Sequence, residues 1–162
     1  MPRPATGHRW RRPVAAGALA SFAALPLCGC SGGQPGVTLA PPVPGPSAAG
    51  PCARLHAALP HRVGDVHRAR DVTPSSPYTA AWGDPPIELR CGVAPPARPL
   101  TGDELTVGAV TWLGSHQGTA VTWRTLGRAV TVQLDVPDGY DDQDAVLADV
   151  SARVARAIPR AG

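Results

Sequence analysis

Residues 129–158 read AVTVQLDVPDGYDDQDAVLADVSARVARAI, and this stretch decides the fold class. Its first part, Ala129–Val136, alternates apolar and polar residues. The apolar side chains that share one face are Val130, Val132, Leu134 and Val136. A period of two over this length is typical of a β-strand that is buried on one face only.

The second part of the stretch changes to helical spacing. Its apolar stripe consists of Leu147, Val150, Val154 and Ile158. Residues three or four apart lie on the same face of a helix, so the stripe predicts an amphipathic helix packed on a core. We expect Asp141 or Asp142 to cap this helix, because an Asp side chain can accept a hydrogen bond from a free backbone N–H of the first turn.

Shorter elements precede this strand and helix. We expect a short helix at Cys52–Leu59 and strands at Val63–Val72, Ile87–Cys91, Val107–Leu113 and Thr119–Thr125. The order of elements, with consecutive strands and flanking helices, favours an α+β domain. The sequence therefore predicts an antiparallel sheet of four or five strands, with a short N-terminal helix and a longer C-terminal helix on one face.

Residues 1–29 have the pattern of a lipoprotein signal peptide. An arginine-rich start is followed by an apolar segment, Val14–Leu27, which is shorter than the ~17–25 residues of a membrane-spanning helix. Cys30 has Gly29 directly before it and Leu27 three places before it, as a lipid-modified cysteine requires, whereas Cys28 directly follows the large Leu27. We therefore expect lipid on Cys30, and a protein held on the extracytoplasmic face of the cell membrane.

The remaining cysteines predict a disulfide. Cleavage before Cys30 removes Cys28 with the signal peptide and leaves Cys52 and Cys91 in the mature domain. An even pair in an oxidising compartment is usually bridged. We expect Cys52 and Cys91 to join the first helix to the strand at Ile87–Cys91.

Composition divides the mature chain at residue 51. Residues 30–50 are rich in Gly, Pro, Ser and Ala and carry no charge, which is typical of an extended tether. Residues 51–162 have the length of a single globular domain with one core.

The positive net charge of the chain belongs mostly to its first 29 residues. From Cys30 onward the chain has all 12 acidic residues but only 11 of the 15 basic ones, a formal charge of −1. Nucleic-acid binding requires a basic face in the mature protein. We therefore expect no nucleic acid among its partners.

Residues 80–92, AAWGDPPIELRCG, are the most distinctive segment of the domain. Together with the cysteine spacing, Trp112, Trp123 and the Val136-Pro137 step, this segment resembles a family of actinobacterial lipoproteins catalogued as domain of unknown function 3515. The resemblance implies no established reaction, substrate or catalytic residue. The function must therefore be argued from the residues themselves.

The same segment has a structural and a functional interpretation. In the structural one, Gly83 and the two prolines shape a turn into the next strand, and Trp82 closes one end of the sheet. In the functional one, Trp82 and Asp84 lie at the mouth of a ligand groove, with Arg90 nearby.

No firm metal or cofactor motif is present. His56, His61 and His67 do not have the spacing of zinc ligands, and we expect solvated surface histidines. Residues 138–144 lack the alternating acidic order and distal Glu of a calcium loop. We therefore expect neither a metal nor a cofactor.

Three functional hypotheses follow from these observations. The first is a non-catalytic, lipid-anchored envelope protein that binds another envelope protein or a cell-wall component. The second is a small envelope hydrolase or transferase that uses Asp84, Glu88 or His116 as acid or base. The third is a structural spacer, which needs no concave pocket.

Overall fold

The structure is a computed structural model that describes residues 35–95 and 101–162. In these residues the helices are α1 (Ala49–Ala58), which follows a 3₁₀ turn at Pro46–Ala48, and α2 (Gln143–Ala157). The strands are β1 (Val37–Thr38), β2 (Arg62–Val63), β3 (His67–Arg70), β4 (Val72–Thr73), β5 (Thr79–Trp82), β6 (Ile87–Cys91), β7 (Asp103–Val107), β8 (Val110–Gln117), β9 (Ala120–Leu126) and β10 (Val132–Pro137).

The strands of the described residues form one large and one small sheet. The large sheet has eight strands in the order β2-β3-β5-β6-β10-β9-β8-β7, and every neighbouring pair is antiparallel. The small sheet is a parallel pair, β1 with β4. The predicted α+β class with an antiparallel sheet is confirmed.

The prediction of four or five strands is wrong, because the sheet of the described residues has eight. The missed strands lack a clear period of two. β5 (TAAW) is short and Ala-rich, and β7 (DELTV) is mostly polar because it lies at the sheet edge. The predicted strand Val107–Leu113 in fact contains the turn between β7 and β8, where Gly108 has φ +59°.

One face of the sheet carries the core. Buried residues of β5, β6, β8 and β10 pack with buried residues of α1 and α2 into a single cluster. In that cluster the Trp112 Nε1–H donates to Ser151 Oγ over 2.8 Å, which fixes α2 against β8. Within residues 35–95 and 101–162, every helix is too short or too polar to span a bilayer.

The predicted disulfide is confirmed. Cys52 of α1 is bonded to Cys91 of β6, and both residues are fully buried. The bond attaches the short first helix to the centre of the sheet, where β6 pairs with β5 and β10.

Part of the predicted tether belongs to the folded unit. In residues 35–39, which we call the N-terminal strap, Val37 is 7% and Leu39 2% exposed. They pack with Ala81 and Val72 into a second, smaller apolar cluster. The strap therefore packs on the folded unit although it precedes the boundary expected at residue 51. The predicted signal peptide and the predicted lipidation site Cys30 lie outside the described residues.

Candidate functional site

A cleft lies where two neighbouring strands of the sheet separate. β3 pairs with β5 at Ala69–Trp82 and Arg70–Ala81, and the ladder stops there. The chain after Arg70 turns away, and β4 pairs with β1 instead of continuing along β5. The gap left between these strands and the C-terminal end of α1 is a cavity of about 400 Å³. This volume is within the range of small-molecule sites. We call it the divergence cleft.

Arg70 lines the divergence cleft and brings a buried positive charge to it. Its side chain is only 6% exposed. Nη1 donates to the Gly83 carbonyl oxygen over 2.5 Å, and Nη2 donates to the Pro35 carbonyl oxygen. Among the described residues, the carboxylate that approaches it is Asp84, at 3.8 Å and 66% exposed. The guanidinium charge is therefore weakly compensated in a poorly solvated position, where its field extends into the cleft.

Two buried polar atoms of cleft-lining residues have no hydrogen-bond partner among the described residues. They are Arg70 Nε and Thr79 Oγ1, and Thr79 is 2% exposed. Leaving a buried polar atom unpaired costs about 1–3 kcal/mol. Buried polar atoms usually have a partner in folded proteins, and an ordered water or a bound ligand can supply one. Trp123 Nε1 and Arg153 Nε, outside the cleft lining, have no protein partner either.

The rim of the cleft is polar and rich in hydrogen-bond donors. Imidazoles of His56 and His61 and hydroxyls of Ser75 and Ser76 line it, and Asp71 contributes the carboxylate. A neutral imidazole or a hydroxyl both donates and accepts, whereas a guanidinium only donates. With Arg70 and Thr79 included, donors predominate over anionic acceptors in the described lining.

The Trp-Gly-Asp-Pro-Pro segment forms one end of the cleft. Trp82 is 1% exposed, and its Nε1–H donates to the Pro60 carbonyl oxygen over 2.9 Å. Gly83 has φ +72°, a conformation that a residue with a Cβ rarely adopts. The Asp84–Pro85 peptide bond is cis. Within this segment Trp82 lines the cleft, and Gly83 is tied to the cleft through its carbonyl oxygen, which accepts from Arg70.

A buried cluster on the other side of Gly83 holds this segment in place. The His67 Nε2–H donates to the carboxylate of Asp142 at 2.9 Å, and His67 is 8% exposed. The ring of Tyr140 packs edge-on against His67 with 4.2 Å between centroids, and its hydroxyl donates to the Pro85 carbonyl oxygen over 2.7 Å. Burial raises the pKa of the Tyr140 phenol above 10.0, and the nearby carboxylates of Asp84 and Asp142 also raise it.

This cluster changes two sequence predictions. Asp142 directly precedes α2 but makes no side-chain capping bond, because its carboxylate binds His67. His67 is buried and paired, so the prediction of a solvated surface histidine is wrong for it, whereas His56 and His61 are exposed. The described residues contain no group of three potential metal ligands.

The structure separates the three residues of the predicted groove. Trp82 lines the divergence cleft and Asp84 lies near Arg70. Arg90 is on the opposite face of the sheet to Trp82, the face that it shares with its partner Thr79, and it does not line the cleft. Arg90 donates to Asp135 over 2.5 Å and to Glu88 over 2.8 Å. These bonds extend to Thr122, Gln133 and Arg124 in a network across the outer face.

The proposed acid and base residues have different surroundings. Asp84 lies near Arg70, and Glu88 is paired with Arg90. His116 is 81% exposed and lies 3.8 Å from Asp138. Glu88 lines a cavity to which neither Asp84 nor His116 contributes.

The residues that sequence analysis missed are Arg70 and Thr79. Nothing in the sequence distinguishes Arg70 from the other arginines or Thr79 from the other threonines. The signal that could have pointed to them is their position on either side of Thr73-Pro74-Ser75-Ser76-Pro77, a loop that forces the strands on both sides to separate.

Comparison with known proteins gives a family but no described activity. No curated protein and no solved structure matches the chain. The model of one family, described as "Protein of unknown function (DUF3515)", matches residues 14–162. This range includes the divergence cleft, the disulfide and the Trp-Gly-Asp-Pro-Pro segment. The chain therefore belongs to the DUF3515 family of proteins of unknown function.

Proposed function

We propose that this protein is an exported, lipid-anchored envelope protein whose domain is a non-catalytic binding module, and that the divergence cleft is its binding site. The observation that carries the proposal is the cleft itself. It has a volume of about 400 Å³ and a buried, weakly compensated guanidinium, and two of its polar atoms have no partner in the described residues.

The cysteines support the anchor. Cys52 and Cys91 are consumed by the disulfide, so a thiol for lipid must come from Cys28 or Cys30. The residues before Cys30 fit a lipoprotein cleavage site, and two or more acyl chains suffice for stable attachment to a membrane.

The chemistry of the cleft favours binding over catalysis. The guanidinium of Arg70 only donates hydrogen bonds and has no acceptor atom with which to act as a general base. Asp84, Glu88 and His116 have separate partners, whereas acid–base catalysis needs groups within reach of one reacting atom. A structural spacer, the third hypothesis, has no need of a cleft with a buried charge.

Native mass spectrometry of the full chain, extracted from its own membrane in mild detergent, tests both parts. We expect the mass of the chain from Cys30 plus a diacylglyceryl group, and an additional bound small molecule. Ser75 lines the cleft from an exposed loop, so Ser75→Trp should block the cleft and remove the bound molecule without disturbing the core. Ala109→Trp, in the exposed turn between β7 and β8, is the matched control and should retain it.

Two results would contradict the proposal. An unlipidated mass would remove the anchor. If the Ser75→Trp variant retains the bound molecule, or if the native protein carries none, the cleft is not the binding site.

A further inference from the structure

The N-terminal strap attaches the chain to the domain a few residues after the lipidation site. Arg70 holds the carbonyl oxygen of Pro35. The backbone N–H of Val37 donates to Asp71 O over 2.7 Å, and that of Leu39 donates to Thr73 O over 3.0 Å. From Pro35 onward, the chain therefore follows the domain surface and does not act as a free spacer.

The remaining chain is too short to lift the domain away from a membrane. Pro35 is five residues after Cys30. An extended chain spans at most about 3.6 Å per residue, so five residues reach no further than about 18 Å. A folded unit of about 130 residues has a radius of gyration near 14 Å and so a diameter well above this reach. If Cys30 carries the lipid, as proposed above, the end of the domain at the strap must face the bilayer.

The divergence cleft is at the same end of the domain. Arg70 and Asp71 form hydrogen bonds to the strap, and Val72 pairs with Val37 of the strap. All three residues also line the cleft. The opposite edge of the sheet is β7, six strands away from β3. The turn at Ala109 lies beside that far edge, so six strand spacings of the sheet separate it from the cleft.

Three arginines lie on one face at this edge of the sheet, and the carboxylates near them in the chain are those of Asp65, Asp71 and Asp84. Arg62 and Arg68 are cross-strand partners, and Arg70 follows Arg68 by two residues, so the three side chains share one face of the sheet. Arg62 and Arg68 are exposed, and in the described residues no carboxylate lies within 4.0 Å of either. Like charges directly opposite each other destabilise a strand pair unless an anion compensates them. The carboxylate of Asp142 lies on the other face, against His67.

We propose that the cleft end of the domain faces the membrane and that the cleft binds the phosphate of an anionic lipid headgroup. A phosphate brings a negative charge and several acceptor oxygens to a site that offers the Arg70 charge, serine and threonine hydroxyls and two imidazoles. Arg62 and Arg68 attract the same anionic surface, since basic residues close to a bilayer are drawn to anionic lipids. The short chain after Cys30 keeps the cleft within reach of these headgroups.

The orientation is tested with the lipidated full chain in liposomes of phosphatidylcholine alone, where attraction to anionic lipid does not contribute, after its mass has confirmed the lipid. A fluorophore is placed at Ser75→Cys, on the cleft rim, or at Ala109→Cys, on the far edge. We expect energy transfer to acceptor-labelled lipids to be clearly stronger from position 75 than from position 109. Insertion of a 20-residue Gly/Ser segment after Ser31 should remove most of the difference.

An unlipidated mass would defeat the anchor, whereas a lipidated chain with equal energy transfer from both positions would overturn this inference alone.

The occupant is tested with the lipidated chain in phosphatidylcholine nanodiscs. We expect the Arg70 Nε–H resonance to shift saturably as phosphatidylglycerol replaces phosphatidylcholine, and not with inorganic phosphate at the same concentration. The double variant Arg62→Ala/Arg68→Ala should weaken the apparent affinity for phosphatidylglycerol about thirtyfold. The control double variant Arg156→Ala/Arg160→Ala, which removes the same charge from exposed positions at the C-terminus, should not.

An unchanged Arg70 signal in phosphatidylglycerol, or an equal shift with inorganic phosphate, would overturn the lipid headgroup as the occupant.

Discussion

Replacing Thr79 with valine should stabilise the protein, although most substitutions of buried residues destabilise. Thr79 is 2% exposed and its hydroxyl has no hydrogen-bond partner in the described residues. Valine has the same branched shape and is well suited to a strand, but it has no polar atom to desolvate. The substitution therefore removes a cost and adds no new one.

The magnitude follows from the burial of the hydroxyl. An unpaired buried hydroxyl costs about 1–3 kcal/mol, and the methyl group that replaces it adds up to ~0.8 kcal/mol of apolar burial. Allowing for imperfect packing, we expect Thr79→Val to raise the free energy of unfolding by about 1–2 kcal/mol. For a domain of this size that is an increase in Tm of about 3–8 °C.

Thr122 provides the matched control. It is 6% exposed, but its hydroxyl donates to Asp135 Oδ1 over 2.6 Å. Thr122→Val leaves that carboxylate oxygen without this donor, and we expect a loss of about 1–2 kcal/mol. Urea unfolding followed by tryptophan fluorescence, with the disulfide intact, measures both variants against the parent protein.

Opposite signs for these two valine variants would confirm that the Thr79 hydroxyl is unpaired. A loss of stability for Thr79→Val comparable to that of Thr122→Val would refute the reasoning, because it would mean that the Thr79 hydroxyl has a structural partner. A stabilised Thr79→Val that also binds anionic lipid less well would show that this hydroxyl contributes to ligand binding at the expense of stability.

Three further predictions concern the elements around the cleft. Replacing Cys52 and Cys91 with alanine should lower the free energy of unfolding by up to about 4 kcal/mol, measured by urea unfolding, because their bond closes a loop with sequence separation 39; a loss below about 1 kcal/mol would contradict this. Gly83→Ala should destabilise more than Gly127→Ala in thermal unfolding. Both glycines have positive φ, but a Cβ on Gly83 would lie 2.7 Å from the Tyr140 hydroxyl, whereas a Cβ on Gly127 would meet open space. An equal decrease in Tm for the two variants would show that the Gly83 Cβ does not collide with Tyr140. Burial raises the phenol pKa of Tyr140, so as pH rises the phenol ionises in the unfolded chain first, and the free energy of unfolding should fall above about pH 10. Tyr140→Phe lacks this phenol, so its free energy of unfolding should fall less over the same pH range. Identical pH profiles of the two proteins between pH 9 and 11 would disprove this.

The elements predicted well are those with a strong local signal. The stripe of α2 and the alternation of β10 appear in the sequence because each element has one face on the core, and both are found in the structure. The pairing of Cys52 with Cys91 was predictable because the predicted lipoprotein signal assigns Cys28 and Cys30 elsewhere and leaves two cysteines. These predictions depend only on the pattern of residues close in the sequence or on the number of cysteines.

The elements missed are those whose stability comes from partners distant in the sequence. β5 has little periodicity of its own and becomes a strand because β6 pairs along its whole length. The strap has the composition of a tether, and it is ordered because Val37 and Leu39 find an apolar patch at Ala81. Asp142 has the position of a helix cap, but its carboxylate accepts a hydrogen bond from the His67 ring instead.

The sequence by itself determined the α+β class, the disulfide pair, the main strand and helix and the family resemblance, because hydrophobic period and cysteine parity are local or countable properties. Only the tertiary structure decided the site. The divergence cleft exists because β4 leaves β5 to pair with β1, and this choice depends on residues 37–38 and 72–73 together. Arg70 and Thr79 gain their importance from that separation of strands, which buries a charge and a hydroxyl without giving every polar atom a partner.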